Sequence, residues 1–440
     1  MHQLAIALSG KGYQVTGSDD EIFEPARSNL QKQGILPSET GWDTGKIHSG
    51  LDAIILGMHA KADNPELGKA RELGLKIYSF PEYIFKESQN KKRVVIGGSH
   101  GKTTTTSMIM HVLKGAGIDF DYMVGARLPG FEYSVRISDA PLIICEGDEY
   151  PASTLEKRPK FHFLFPHIAV LTGIAWDHIN VFPSFDFYLE QFSIFIKMIE
   201  PGGLLIYNEQ DPVLNELVNN ETSSKISKSG YGVPEHRVDE GNSSILLEGI
   251  WQKLSVFGNH NLMNVQAAWL VCRALGMSAS VFLKHIISFT GASKRLELMA
   301  ENNHTRVYRD FAHAPSKVKA TIEAMKSQFP KRKLIAVLEL HTYSSLNAAF
   351  MKEYQDVMNP ADEAVVFYSA HALELKRMPA LDPDHVMKGF GKKGLVVMNS
   401  ANELLQWLKS RSFENSNLLL MSSGNYDGLD MATFANEITV

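Results

Sequence analysis

Short runs of apolar and β-branched residues alternate along most of the chain with longer segments whose apolar positions fall three and four apart. The runs read as buried strands and the longer segments as amphipathic helices. The alternation predicts an α/β chain whose mainly parallel sheets are covered by helices. Its sharpest instance is RVVIGGSHGKTTTTSMIMHVLKGAG, Arg93 to Gly117. Val94, Val95 and Ile96 form the strand, Gly97 to Gly101 a glycine-rich turn, and Lys102 with four threonines opens the helix.

Before this stretch, His2 to Leu8 reads as a helix, turned by Gly10 and Gly12 into a strand from Tyr13 to Thr16. Ser18, Asp19 and Asp20 stand at the end of that strand, where an acid in a nucleotide-binding βαβ unit takes ribose or base contacts. LDAIILG, NPELGKARELG, KIYSF and PEYIFKES continue the alternation, so a small parallel-sheet domain is expected over residues 1–88. Polar residues Glu87 to Lys92 read as a linker. A second domain, 89–292, holds the glycine-rich turn, the strand of APLIICEGDEY ending in Glu146, Asp148 and Glu149, and the strand of IAVLTGIAWDHINVF ending in Asp177 and His178. In FGNHNLMNVQAAWLVCRALG, His260, Asn261 and Asn264 head a helix; they suit a cap or an adenine edge, and spacing alone favours the cap. Gly291-Ala292-Ser293 reads as a hinge into a third domain, 293–440. That domain carries RVYRDFAHAP, ending in Asp310 and His313, then LIAVLELHTYSSLN, DEAVVFYS and NLLLMSSGNYDG.

Composition adds exclusions. At 440 residues the chain is too long for one ordinary core. Forty-four basic against 49 acidic residues give −5, which points to neither nucleic acid nor an acidic membrane surface. No apolar run approaches the roughly 18 residues of a membrane span, and the N-terminus lacks the regions of a signal peptide. Cys145 and Cys272, far apart and each in an apolar segment, read as buried free thiols of a cytoplasmic protein.

The strand, glycine turn and helix at 93–117 make the context that a phosphate-binding loop needs. Backbone N–H groups of Gly98, Ser99, His100 and Gly101 would close on phosphate oxygens beside the helix N-terminus. Lys102 would reach the terminal phosphates, Thr103 would ligate Mg²⁺, and Thr104 continues the loop into the helix. The GxxxxGK[ST] spacing asks for glycine at 96, where Ile96 stands. Acids and a histidine at the carboxyl ends of the neighbouring strands suit Mg²⁺ ligation or are solvated loop residues. Arg295 and Asp310, taken singly, are surface ion-pair residues; together they would close over a nucleotide from across a cleft.

Taken together, GSHGKTTTT, EGDEY, the DH of AWDHINVF, FGNHNLMN, KRLE and DFAHAP resemble, in order, the motifs of the Mur ligases. These are the ATP-dependent amide-forming enzymes of peptidoglycan synthesis, and the resemblance covers essentially the whole chain. It implies an N-terminal UDP-sugar-binding domain, a central ATPase domain and a Rossmann-like C-terminal domain closing over ATP and the incoming amine. Lys102 and Thr103 match the phosphate and Mg²⁺ contacts, Glu146 and His178 the residues at the second Mg²⁺, and the variant GxxGKT loop accounts for Ile96. His260, Asn261 and Asn264 match the adenine-side motif, against the cap that spacing favours. Arg295 matches an arginine reaching the nucleotide, Asp310 an acid near the ribose, and His313 a catalytic histidine near the substrates; Ala314 replaces a second histidine. Ser18, Asp19, His341, Ser344 and Asn347 are the implied substrate contacts. With no lysine between His178 and Ile196, no carbamylated lysine is expected. The family's first strand and glycine turn would lie directly before His2, so Met1 reads as an internal methionine. PGFEYS, EGDEYPASTLEKRPKF and MSSGNYDGLD look like the branch joining UDP-N-acetylmuramate to L-alanyl-γ-D-glutamyl-meso-diaminopimelate. The alternative is the branch that adds L-alanine, which carries an HRYTRT-like segment where this chain has HTYSSLN. A more distant alternative is a nucleotide-binding paralogue without ligase activity. A cytoplasmic monomer or weak homodimer is expected, without nucleic acid or membrane partners.

Overall fold

Two short strands near the N-terminus, β1 (Ile54–Leu56) and β2 (Ile77–Ser79), pair in parallel in a computed structural model of the chain. The structure describes residues 1–126, 128–176, 181–222, 225–239, 241–292 and 295–440. These form two compact units, Met1–Gly232 with Gln266–Ser278, and Val233–Val265 with Ala279–Val440. Ser293 of the expected hinge, with Asp177 and His178, lies outside the described residues.

In the first unit, helix His2–Gly10 forms as its apolar pattern predicts and buries Leu4, Ile6 and Leu8. The strand expected at Tyr13 to Thr16 does not form: this segment joins no sheet, and its neighbourhood is held by an isolated bridge between Asp19 and Gly41. Tyr13, Gln14 and Thr16 are exposed, so only Val15 offers apolar area against the core. Helix Phe80–Ser88 starts on one half of a capping box, with the Glu82 carboxylate accepting from the Ser79 N–H at 2.7 Å. The polar segment after it is pinned rather than free. Lys11 pairs with Glu87 at 3.0 Å, and buried Lys91 pairs with buried Asp121 at 2.8 Å.

The main sheet of this unit comprises β3 (Lys92–Gly97), β4 (Asp121–Met123), β5 (Val135–Arg136), β6 (Leu142–Glu146), β7 (Ile168–Leu171), β8 (Leu204–Asn208) and β9 (Ser227–Tyr231). Their order is β5-β4-β6-β3-β7-β8-β9, parallel except for β4 with β5. Strand β3 is buried from Arg93 to Gly97, which explains its unbroken apolar run. It lies between β6 and β7, with Ile96 opposite Glu146 and Gly97 opposite Leu171. The loop after β3 therefore opens where its neighbours end, at the carboxyl edge on which ligands of open α/β sheets bind.

The second unit begins with an antiparallel sheet of β10 (His236–Asp239), β11 (Asn242–Leu247) and β12 (Ile250–Leu254). Its larger sheet is built from β13 (Glu297–Glu301), β14 (Thr305–Asp310), β15 (Lys333–Leu340), β16 (Glu363–Tyr368), β17 (Val396–Met398) and β18 (Ser416–Met421). Their order is β13-β14-β18-β15-β16-β17, with β13 antiparallel to β14 and the rest parallel. Strand periodicity divides β15 between two cores. Leu334, Ala336, Leu338 and Leu340 pack on one face, Ile335 and Val337 on the other. Among the described residues no helix is long and apolar enough to cross a membrane. Both cysteines are buried and free, and burial pushes each thiol up to about 12.

Candidate active site

Strand β3 delivers the chain into a turn that only glycine can make. Gly98 has φ +122°, and a Cβ there would lie 2.3 Å from Thr172 Oγ1 and 2.8 Å from the Thr172 backbone nitrogen. Gly101, in the left-handed region at φ 80°, is the N-cap of helix Lys102–Gly115. The residues just beyond β7 fix the turn from the side. Ser99 N–H donates to Gly173 O at 2.9 Å, Thr172 N–H donates to Gly97 O at 3.1 Å, and the Thr172 hydroxyl donates to His100 O. The result is a backbone cradle at a helix N-terminus, a place that favours an anion.

Lys102 Nζ donates to Gly98 O and to Glu149 Oε2, the latter at 2.7 Å. Burial works against its charge, but Glu149, with Asp148 and Glu146 beyond, overrides that and holds the ammonium above the ordinary lysine value. Glu149 is only 1% exposed. Its Oε1 also accepts from the hydroxyl of Tyr188, at 3.4 Å. The neighbouring acid has a different job: Asp148 pairs with Lys160 at 2.6 Å. Burial would raise the Asp148 carboxyl, but Lys160 and then Lys102 hold it below the usual carboxylate range.

Thr103 Oγ1 donates to Glu146 Oε1 at 2.8 Å, and Gly125 N–H donates to the other oxygen of Glu146 at 3.1 Å. A hydroxyl and a carboxylate side by side are hard oxygen donors of the kind Mg²⁺ takes. Among the described residues no group of three or more His, Cys, Asp or Glu side chains could hold a metal ion without further ligands.

The second unit gathers its own set. His260, Asn261 and Asn264 stand in the first turns of helix Asn259–Ala274. Asn261 is buried and donates its amide to Phe257 O at 3.0 Å, the reverse of an N-cap, in which a side-chain oxygen accepts from a first-turn N–H. Burial pushes the half-buried His260 imidazole down to about 4, so it is neutral at pH 7. At the end of β14, burial raises the Asp310 carboxyl above its usual range, against the opposing charge of Arg295 and two N–H donors. Those donors are Leu296 N at 2.5 Å and Ala312 N at 2.6 Å. Arg295 lies over the Phe311 ring at 4.6 Å, and His313 Nδ1 is 2.8 Å from Phe311 O.

The expected substrate contacts fall in both units. Ser18 Oγ accepts from Lys46 Nζ at 3.2 Å, while Asp19 is exposed beside it. These belong to the first unit; His341, Ser344 and Asn347 follow β15 in the second. His341 Nδ1 is 3.7 Å from Glu339, a buried carboxylate that also accepts from Ser422 Oγ and from Tyr426 N–H. Asn347 caps the short helix Ala348–Tyr354 through Ala349 N–H. Sequence reasoning missed Thr172 and Tyr188. Thr172 carried a signal, a hydroxyl directly after a buried strand; Tyr188 carried none, since an aromatic in FDFYLEQFSIFIK reads as core.

The Mur ligase middle domain matches residues 96–272, and the Mur ligase glutamate ligase domain matches residues 294–424. The UDP-N-acetylmuramate--L-alanine ligase of Carboxydothermus hydrogenoformans is 29% identical over 97% of this chain and 92% of its own length. That of Caldicellulosiruptor bescii is 31% identical over 83% of this chain and 80% of its own length. The UDP-N-acetylmuramate--L-alanyl-gamma-D-glutamyl-meso-2,6-diaminoheptandioate ligase of Haemophilus influenzae is 27% identical over 98% and 95%. Among solved structures, the UDP-N-acetylmuramate-alanine ligase of Thermotoga maritima shares the fold, with a TM-score of 0.67 and 22% identity over 99% of this chain and 96% of that one. With a nucleotide-type loop directly after β3, two matched domains and a 31% identical relative covered over 80% of its length, the chain belongs to the Mur ligase family, whose members are ADP-forming amide ligases.

Proposed function

We propose that the chain joins the carboxylate of UDP-N-acetylmuramate to the amine of an amino acid or peptide at the expense of ATP, with L-alanine as the acceptor. The observation that carries the reading is the Lys102–Thr103–Glu146 arrangement in the glycine cradle after β3. The L-alanine assignment rests on relatives: the alanine-adding enzymes of C. hydrogenoformans and C. bescii are 29% and 31% identical, the tripeptide-adding enzyme of H. influenzae 27%.

A carboxylate is a poor acyl donor because its oxygen leaves badly. In the proposed reaction a carboxylate oxygen attacks the γ-phosphorus of ATP, the bond to the bridging oxygen breaks, and ADP leaves. The neutral amine then attacks the resulting acyl phosphate, and its tetrahedral adduct expels phosphate as the amide forms. The loop N–H groups orient the phosphates, and the Lys102 ammonium, kept charged by its acidic neighbours, offsets the charge that builds on them. Mg²⁺, when bound, would be held by Thr103 and Glu146 and would further neutralise the phosphate oxygens.

A second reading, the tripeptide L-alanyl-γ-D-glutamyl-meso-diaminopimelate as acceptor, is favoured by the segment after β15. HTYSSLN has no arginine, and Tyr343 within it is 64% exposed. ADP release with UDP-N-acetylmuramate plus either L-alanine or the tripeptide separates the two readings. Stimulation by neither amine, with ATP bound, would leave a nucleotide-binding protein without ligase activity.

A further inference from the structure

The ring of Tyr188, on helix Phe185–Lys197, is fully buried among Phe182 and Phe192, and its hydroxyl reaches out of that apolar cluster. A buried tyrosine hydroxyl ordinarily finds some partner. Here two of its partners belong to the phosphate site: Ser99 Oγ at 2.8 Å and Glu149 Oε1 at 3.4 Å. The carboxylate can only accept, so the single Tyr188 proton goes to Glu149. The Ser99 hydroxyl must then donate to Tyr188, while its oxygen accepts from Ala175 N–H at 2.9 Å. The outcome is one directional chain, from Ser99 through Tyr188 to Glu149, ending at the Lys102 ammonium 2.7 Å away. Its members come from three separate segments, the loop after β3, the segment after β6 and helix Phe185–Lys197.

We propose that Tyr188 is a positioning residue of the phosphate site: its hydroxyl sets the Ser99 rotamer in the loop and orients the Glu149 carboxylate that holds Lys102. Tyr188 touches no substrate in this assignment. It acts by keeping the loop and its lysine in one arrangement before nucleotide arrives, so that binding does not have to order them. The nucleotide part of the proposal rests on the ATP reading above; the arrangement of the loop does not.

The test uses the full chain and three variants, Tyr188→Phe, Ser99→Ala and the double variant. ADP affinity is read by titration calorimetry, and exchange of the Ala175 amide is read without nucleotide. Tyr188→Phe keeps the ring and removes the hydroxyl. It is expected to weaken ADP binding about tenfold, the scale of one lost charge-linked hydrogen bond, and to speed Ala175 exchange. If Ser99 and Tyr188 act through one chain, the double variant should bind ADP no worse than about threefold below the weaker single variant. Losses that multiply, or unchanged ADP affinity in Tyr188→Phe, overturn the assignment. Wild type that binds no ADP refutes the ATP reading; the Ala175 exchange then decides the positioning role alone, and unchanged exchange overturns it. Glu149→Gln gives a further check if Tyr188→Phe does not fold. Weaker ADP binding in that variant supports positioning, whereas tighter binding would mean that the carboxylate holds the lysine away from phosphate, which overturns the proposal.

Discussion

Lys102→Ala would strand a carboxylate. Glu149 is 1% exposed and Lys102 Nζ sits 2.7 Å from it, with 15% of the lysine side chain exposed. Removing one partner of a buried pair costs about 3–5 kcal/mol, because the remaining buried charge loses the opposite charge bonded to it. The partial exposure of Lys102 argues for the low end, about 3 kcal/mol. The Tyr188 hydroxyl still donates to Glu149, which offsets about 1 kcal/mol. The net loss of about 2 kcal/mol corresponds to a fall in melting temperature of about 4–8 °C for a unit of this size. ADP release should vanish at the same time. Adding Glu149→Gln removes the stranded charge, so the double variant should regain most of the lost melting temperature while staying inactive. Differential scanning calorimetry and a coupled ADP-release assay on the three proteins measure both halves. A Lys102→Ala protein that melts with wild type would refute the buried-pair argument, and one that turns over near normally would refute the role given to the lysine.

Two further outcomes follow from the same geometry. Gly98→Ala puts a methyl group 2.3 Å from Thr172 Oγ1 and 2.8 Å from its backbone nitrogen, at φ +122°. Strain of about 1–3 kcal/mol plus the displaced loop bonds should weaken ADP binding by about a hundredfold, and calorimetric titration with unchanged affinity would contradict the described turn. Asp148 gives a pH signature. Because its folded-state carboxyl is held below the ordinary 3.8, its pairing stabilises the fold above that value, and the contribution is lost as pH falls through the folded value. Asp148→Asn should therefore melt lower than wild type at pH 7, with the gap closing on acidification below about pH 4; a gap constant with pH would be the wrong result.

What could be read from the sequence was what short-range chemistry dictates. Apolar runs gave β3, β6, β7, β15, β16 and β18, because a strand buried on both faces leaves an unbroken apolar run. The phosphate cradle was legible for the same reason, since glycines, lysine and threonine are consecutive. Tyr13 to Thr16 misled because a β-rich tetrapeptide needs a neighbour, and three of its four side chains face water. The division of labour in EGDEY was hidden as well. Glu146, Asp148 and Glu149 are alike in sequence, yet one bonds Thr103, one Lys160 and one Lys102. Those partners lie 43, 12 and 47 residues away, and no local pattern encodes them. Tyr188 and Thr172 belong to the same class of long-range partner.

The pairing of β3 with its two neighbours sets where length can vary in this protein. Ile96 stands opposite Glu146 and Gly97 opposite Leu171, so the carboxylate and the threonine after Leu171 arrive beside the turn by register. Adding or deleting one residue within β6 would turn Glu146 to the opposite face of the sheet, and the same change in β7 would withdraw Thr172 from the His100 carbonyl. Insertions in the connections before these strands carry no such penalty. The site is thus built to a fixed strand length, and its diversity has room only in the loops that lead in.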